Sequence, residues 1–119
     1  CPDKRIVNIS SGLGRRPMAA AAPYCAVKAG MDHLSRAMAL DEAHQAQPAR
    51  IVSLAPGIID TDMQGQLRAA DPSRFPDRDV FAQFKASGAL ESPTAVAAKV
   101  LAYAARADFG AEPVGDVRA

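Results

Sequence analysis

Tyr24 and Lys28 stand four residues apart in the stretch YCAVKAG, and Ser11 precedes the tyrosine by thirteen residues. These three residue types can together carry a proton to a carbonyl oxygen. A phenol with an ordinary pKa of about 10 holds its proton too tightly to exchange it easily near neutrality. A unit positive charge about 4 Å away, at an effective dielectric near 20, stabilises a phenolate by about 4 kcal/mol, equivalent to about three pKa units. Lys28 is the group spaced to supply that charge, because residues four apart share one face of a helix. Ser11 would donate a hydrogen bond that fixes the reacting oxygen against Tyr24. A Tyr-x-x-x-Lys pair alone is a weak signal, since surface helices carry many. Its joint spacing with Ser11 and with a second block beginning at Pro56 singles it out.

The elements that must position these residues are legible in the surrounding sequence. Arg5 to Ser10 is a short apolar run rich in β-branched residues and is followed by Gly12 and Gly14. It predicts a buried strand opening into a flexible loop, with Ser11 at the strand's carboxyl end. Pro23 suits a first helical turn. Met31, Leu34 and Met38 then recur at i, i+3 and i+7, predicting an amphipathic helix that runs to about Glu42 with its methionines in the core or at a subunit contact. Arg50 to Ala55 predicts a second apolar strand ending at Pro56 and Gly57. Between residues 60 and 90, Pro72 and Pro76 interrupt short helical stretches around 64–70 and 79–86. Ser92 and Pro93 form a cap and first-turn signal for a helix marked by Val96, Val100, Leu101 and Tyr103 and ending near Arg106. Gly110 follows, and Val114 to Arg118 predicts the last strand. This order predicts parallel α/β pairing. Such strands need apolar cover on both faces, more than two helices supply, and the sheet of this chain alone is expected to be incomplete.

On Ser11, Tyr24 and Lys28 the chain resembles the short-chain dehydrogenase/reductase family, and the block APGIIDTDM is similar to that family's Pro-Gly turn after the next strand. The resemblance implies an α/β fold in which residues 1–119 are the C-terminal half of a Rossmann-like, doubly wound parallel sheet. They would be the catalytic part of a single reductase domain of roughly 250 residues, without its N-terminal half that binds the cofactor phosphates. It implies NADP or NAD as cofactor, NADP preferred. Tyr24 and Lys28 would lie against it, with Lys28 bonding the nicotinamide ribose. Pro56 and Gly57 would form the turn beneath, Ile59 would offer backbone groups to the carboxamide, and the Thr61 hydroxyl would reach the carboxamide or the nearby phosphate. The stretch 60–90 resembles the family's mobile substrate lid.

The segments DTDMQGQLRA and FKASGAL, with the helix and short strand after them, resemble the sepiapterin reductase and benzil-type diketone reductase branch. In that branch an aspartate near the C-terminus grips the substrate, and Asp116 would be its counterpart. The implied activity is reduction of a ketone or diketone with Tyr24 as proton donor, expected only together with the N-terminal half. A ketoacyl reductase or alcohol dehydrogenase of the same family is the alternative within enzymology. A noncatalytic fragment acting through protein association is the alternative outside it. The implied partners are a small carbonyl substrate and either a second copy of the chain, with the Tyr24 helix packed on its neighbour, or the complementary N-terminal half.

Several other features argue for ordinary roles. Ser10 competes with Ser11 for the serine position, but the thirteen-residue interval favours Ser11. Gly12 and Gly14 do not form a phosphate-binding turn, because no helix begins directly after them. The Asn-Asn-Ala-Gly motif and upstream asparagine of the family are missing. Asp60 and Asp62 are expected to cap or solvate a loop, His33 and His44 show no metal-ligand spacing, and Cys1 and Cys25 are expected to be reduced thiols. No metal site is expected. A net charge of +1 without a basic stripe gives no reason to expect nucleic acid. No apolar run approaches the ~18 residues of a membrane span, and a cytoplasmic location is expected.

Overall fold

The computed structural model describes residues 2–57, 79, 83 and 90–118. Its centre is a sheet of three parallel strands in the order β1 (Arg5–Ile9), β2 (Arg50–Ala55) and β3 (Val114–Asp116). Arg5 pairs with Arg50 and Ile9 with Leu54, while Ser53 pairs with Val114 and Ala55 with Asp116. The register brings the carboxyl ends of all three strands to one end of the sheet. Pairing continues just past them, as the Ser10 N–H donates to the Leu54 carbonyl at 2.8 Å and the Val117 N–H to that of Ala55 at 3.0 Å.

Among the described residues, two helices lie in the crossovers. Helix α1 (Ala22–Glu42) links β1 to β2 and opens with Pro23 in its first turn, where a missing N–H costs nothing. Helix α2 (Pro93–Ala104) lies between β2 and β3 in the chain and is capped by the Ser92 hydroxyl, which accepts from the Ala95 N–H at 3.2 Å. The bounds of β1, β2, α1 and α2 follow the expectations from sequence within two residues. The last strand is shorter than expected. The Asp116 carboxylate accepts the Arg118 N–H at 2.8 Å, and this local turn closes the backbone where pairing would otherwise continue. The segment expected to be a flexible loop after β1 begins as an ordered 3-10 turn, Gly12–Gly14, capped by the Ser11 side chain. The predicted helical stretches at 64–70 and 79–86, and the lid containing them, lie outside the described residues except for Asp79 and Gln83, both helical.

The two faces of the sheet differ in chemistry because successive strand residues point to opposite sides. On one face Val52 and Leu54 are fully buried with Phe109, and Val7, Val100, Tyr103, Ala104 and Val117 pack against them. Tyr103 meets Phe109 edge-on, with centroids 6.3 Å apart. The other face carries Asn8, Ser10 and Ser53 beside the buried Ile51 and Ala55, and α1 crosses it. There the Asn8 amide donates to Ser35 Oγ at 3.1 Å, while Ser10 and Ser53 reach Asp32.

Of the two places expected for the Met31, Leu34 and Met38 stripe, core or subunit contact, the core is not where it wholly lies. Leu34 is 55% exposed, whereas Asp32 and Ser35 are buried and Met31 and Met38 are half-buried. The periodicity of Met31, Leu34 and Met38 is real, but strands that present an amide and hydroxyls are met by the polar stripe of the helix. Strand β2 is buried, whereas β1 pairs only with β2 among the described residues and leaves Ile6 and Ile9 exposed.

Candidate functional site

Ser11 leaves the carboxyl end of β1 and caps the 3-10 turn, its Oγ accepting the Leu13 N–H at 3.2 Å. A hydroxyl that accepts there keeps its own proton for another acceptor, and Ser11 is only partly buried. Ser10, the competing serine, is buried, and its Oγ donates to Asp32 Oδ1 at 2.6 Å. Tyr24 and Lys28 lie one turn apart near the start of α1, both half-buried. The Lys28 ammonium donates to the Ile9 carbonyl at 2.9 Å and sits 5.7 Å from the centroid of the Tyr24 ring. Lysine, tyrosine ring and the end of β1 therefore meet in one place, two residues before Ser11.

Pro56 and Gly57 follow the end of β2. Pro56 is buried, and Gly57 has φ +83, a left-handed conformation in which a side chain is strained. Space is not what requires glycine there, since the nearest atoms to an added Cβ belong to the Arg118 side chain at 3.8 Å and beyond. Ile59 and Thr61, with Asp60 and Asp62, lie outside the described residues.

Asp116 ends β3 at the same rim. Its two carboxylate oxygens accept from Arg118 Nε and Nη2 at 2.9 and 2.8 Å, and Arg118 holds the carboxyl below its ordinary range against the opposing effect of partial burial. The expected substrate contact thus presents a neutralised ion pair rather than a bare carboxylate. Cys25 is a free, half-buried thiol.

Beneath the site lies a group of residues that sequence reasoning missed. Asp32 is 2% exposed. Its Oδ1 accepts from Ser10 Oγ at 2.6 Å and Ser53 Oγ at 2.7 Å, and its Oδ2 from Arg15 Nε at 3.3 Å. Burial opposes its ionisation most strongly. The two hydroxyls and the Arg15 charge outweigh that penalty, and the carboxyl sits below its ordinary value. Arg15 also donates from Nη2 to the Ser53 carbonyl at 3.2 Å. Two signals in the sequence could have found the group. Asp32 continues the i, i+4, i+8 face of Tyr24 and Lys28, and Asn8 and Ser10 in β1 and Ser53 in β2 interrupt apolar strands.

The carboxyl ends of parallel strands are where open α/β sheets bind ligands, and the residues here fit the nicotinamide end of a dinucleotide. The Lys28 ammonium has donors beyond the one given to Ile9, and a turn at Gly57 free of any Cβ lies at the adjacent strand end. Among the described residues, Gly12 and Gly14 open into a 3-10 turn rather than an α-helix, which does not fit a pyrophosphate cradle.

Comparison with known proteins agrees with the geometry. The family model described as short chain dehydrogenase matches residues 3–72, more than half of the chain. A benzil reductase ((S)-benzoin forming) of Bacillus cereus is 41% identical over 95 residues, which cover 80% of this chain and 38% of that protein. A sepiapterin reductase of Mus musculus is 38% identical over 99 residues, covering 82% and 36%. An NADPH-dependent pterin aldehyde reductase of Arabidopsis thaliana is 45% identical over 58 residues, covering 49% and 23%. The chain spans well under half the length of these relatives. The crystal structure of the KRED1-Pglu enzyme matches 89% of this chain and 45% of its own with a TM-score of 0.76. At 24% identity that match shows the fold, a Rossmann-like α/β sheet.

Proposed function

This chain belongs to the short-chain dehydrogenase family, and we propose that it carries the proton-transfer site of an NAD(P)H-dependent reductase of ketones or diketones, with NADPH preferred. The observation that supports this most is the meeting of the Lys28 ammonium, the Tyr24 ring and the end of β1 immediately before Ser11. The cofactor, when bound, supplies a hydride to the substrate carbon. Tyr24 gives its phenolic proton to the carbonyl oxygen. Ser11 donates a hydrogen bond to the same oxygen and holds it in line. The positive charge of Lys28 offsets the charge left on the Tyr24 oxygen, and its remaining donors would hold the ribose. Pro56, Gly57, Ile59 and Thr61 would carry the carboxamide end of the cofactor, and Asp116 with Arg118 would border the substrate.

The benzil and sepiapterin reductases among the relatives favour a small dicarbonyl over a long thioester. Because the described residues lack a pyrophosphate cradle, activity is expected only when a further segment supplies one. The test is turnover of benzil and of an acetoacetyl thioester, with NADPH and NADH, by the complete protein carrying this chain. Benzil should have the higher kcat/KM, and NADPH should outperform NADH. Preference for the thioester would overturn the substrate class, and no turnover of either would overturn the reductase assignment.

The exposed Ile6, Ile9, Val27, Leu34 and Leu40 favour one second reading, that the chain works by protein association, with a complementary half, a second copy or another partner. Native mass spectrometry separates these. A stable complex without nicotinamide binding would support a noncatalytic role.

A further inference from the structure

We propose that Asp32 is a positioning residue for the reductase site, its buried carboxylate locking the Ser11 turn onto the helix that carries Tyr24 and Lys28. This rests on the reductase function proposed above. Three separate segments donate to the one carboxylate: Ser10 at the end of β1, Ser53 in β2 and Arg15 just past the 3-10 turn. Asp32 itself stands one helical turn beyond Lys28, which stands one turn beyond Tyr24. The contact is tight on the turn's side as well. A Cβ added at Gly14 would lie 3.0 Å from Asp32 Oδ2 and 3.0 Å from the backbone carbon and oxygen of Lys28.

A buried charge is a costly way to gain stability, since its partners must first offset its removal from water. The opposite face of the same sheet is closed by Val52, Leu54 and Phe109 with no buried charge among the described residues. What the carboxylate adds is direction. Its two oxygens accept in fixed geometry from residues on either side of Ser11, while an apolar side chain would leave the turn free to slide on α1. Ser10 is thereby committed to the interior, and Ser11 faces the rim. Lys28 closes the arrangement from its own side by bonding Ile9.

The test uses the complete protein and Asp32→Asn, which keeps the shape and one accepting oxygen but loses the charge that holds Arg15. With benzil, kcat should fall at least tenfold while KM stays within twofold, because the reacting groups are misaligned and the binding surface is untouched. Amide exchange at Leu13 to Arg16 should speed up at least tenfold, with the amides of β2 as protected as before. A merely structural role would instead raise exchange in both places and leave kcat unchanged well below the melting temperature. That result, or unchanged kcat with unchanged exchange, overturns the inference. If Asp32→Asn does not fold, Ser10→Ala removes one tie and leaves two, and the same split between kcat and KM is required of it. The exchange measurement does not depend on turnover. Inactive wild-type protein therefore sinks the reductase function, while unchanged exchange at the turn sinks the positioning role.

Discussion

Replacing Gly14 with alanine tests how closely the Ser11 turn is docked on α1. The added Cβ would lie 3.0 Å from Asp32 Oδ2 and from the carbon and oxygen of the Lys28 peptide. Ordinary contact for a Cβ begins near 3.4 Å, and the turn has to back away by a few tenths of an ångström. Lys28 lies inside a 21-residue helix, and its backbone cannot yield without breaking hydrogen bonds on either side, leaving the turn as the part that moves. Overpacking of this kind costs about 1–3 kcal/mol. The same displacement carries Ser11 away from Tyr24, and a shift of about 1 Å at a reacting centre costs about a hundredfold in rate. A shift of a few tenths of an ångström in Gly14→Ala should therefore lower kcat for benzil by about three- to tenfold and lower the urea midpoint. Gly30→Ala is the control, since an added Cβ there meets nothing within 4 Å. Wild-type kcat and wild-type stability in Gly14→Ala would refute the docking geometry.

Further outcomes follow from the same structure. Gly30→Ala should stabilise the protein by about 0.5–1 kcal/mol with kcat unchanged, because glycine in the middle of α1 gives up more chain entropy than alanine; a lower urea midpoint would contradict this. Leu54→Ala, at a fully buried core position, should cost about 2–5 kcal/mol in urea unfolding, and a loss below 1 kcal/mol would mean that the core is less closely packed than described. Asp32 titrates in the folded state below its ordinary value of 3.8, and Arg5 and Arg50 lower Asp3 to about 2. For both, the stabilisation is fully present above the unfolded pKa and is lost as pH falls through the folded one. Urea midpoints measured from pH 6 down to 2 should drop below pH 4, and less steeply in Asp3→Asn than in wild type. Identical slopes in both would contradict the ion pairs.

The strands were legible because Arg5 to Ile9 and Arg50 to Ala55 are short apolar runs bounded by glycine or proline, and α2 was legible because Ser92 and Pro93 start it. The nearness of Tyr24 and Lys28 was legible too, since residues four apart share a helix face, whereas the roles of Ser11, Tyr24, Lys28, Pro56 and Gly57 are proposals. The inward face of α1 was not legible. A helix with Met31, Leu34 and Met38 on one stripe and Asp32 and Ser35 on another can bury either, and the choice was made by Asn8, Ser10 and Ser53, far away in sequence. The same long-range contacts separate Ser10 from Ser11, adjacent hydroxyls that differ only in which side of β1 they leave. Ile59 and Thr61 stay where the sequence left them, as proposed cofactor contacts.

The central claim is that Tyr24 protonates the substrate oxygen, and Tyr24→Phe in the complete protein tests it most directly. The substitution removes one oxygen from a half-buried ring and leaves the Lys28 bond to Ile9 intact. With benzil and NADPH, kcat should fall by about 10²–10⁴-fold, while the circular dichroism spectrum and urea midpoint stay at wild-type values. Turnover within a few-fold of wild type in a folded Tyr24→Phe protein would contradict the account.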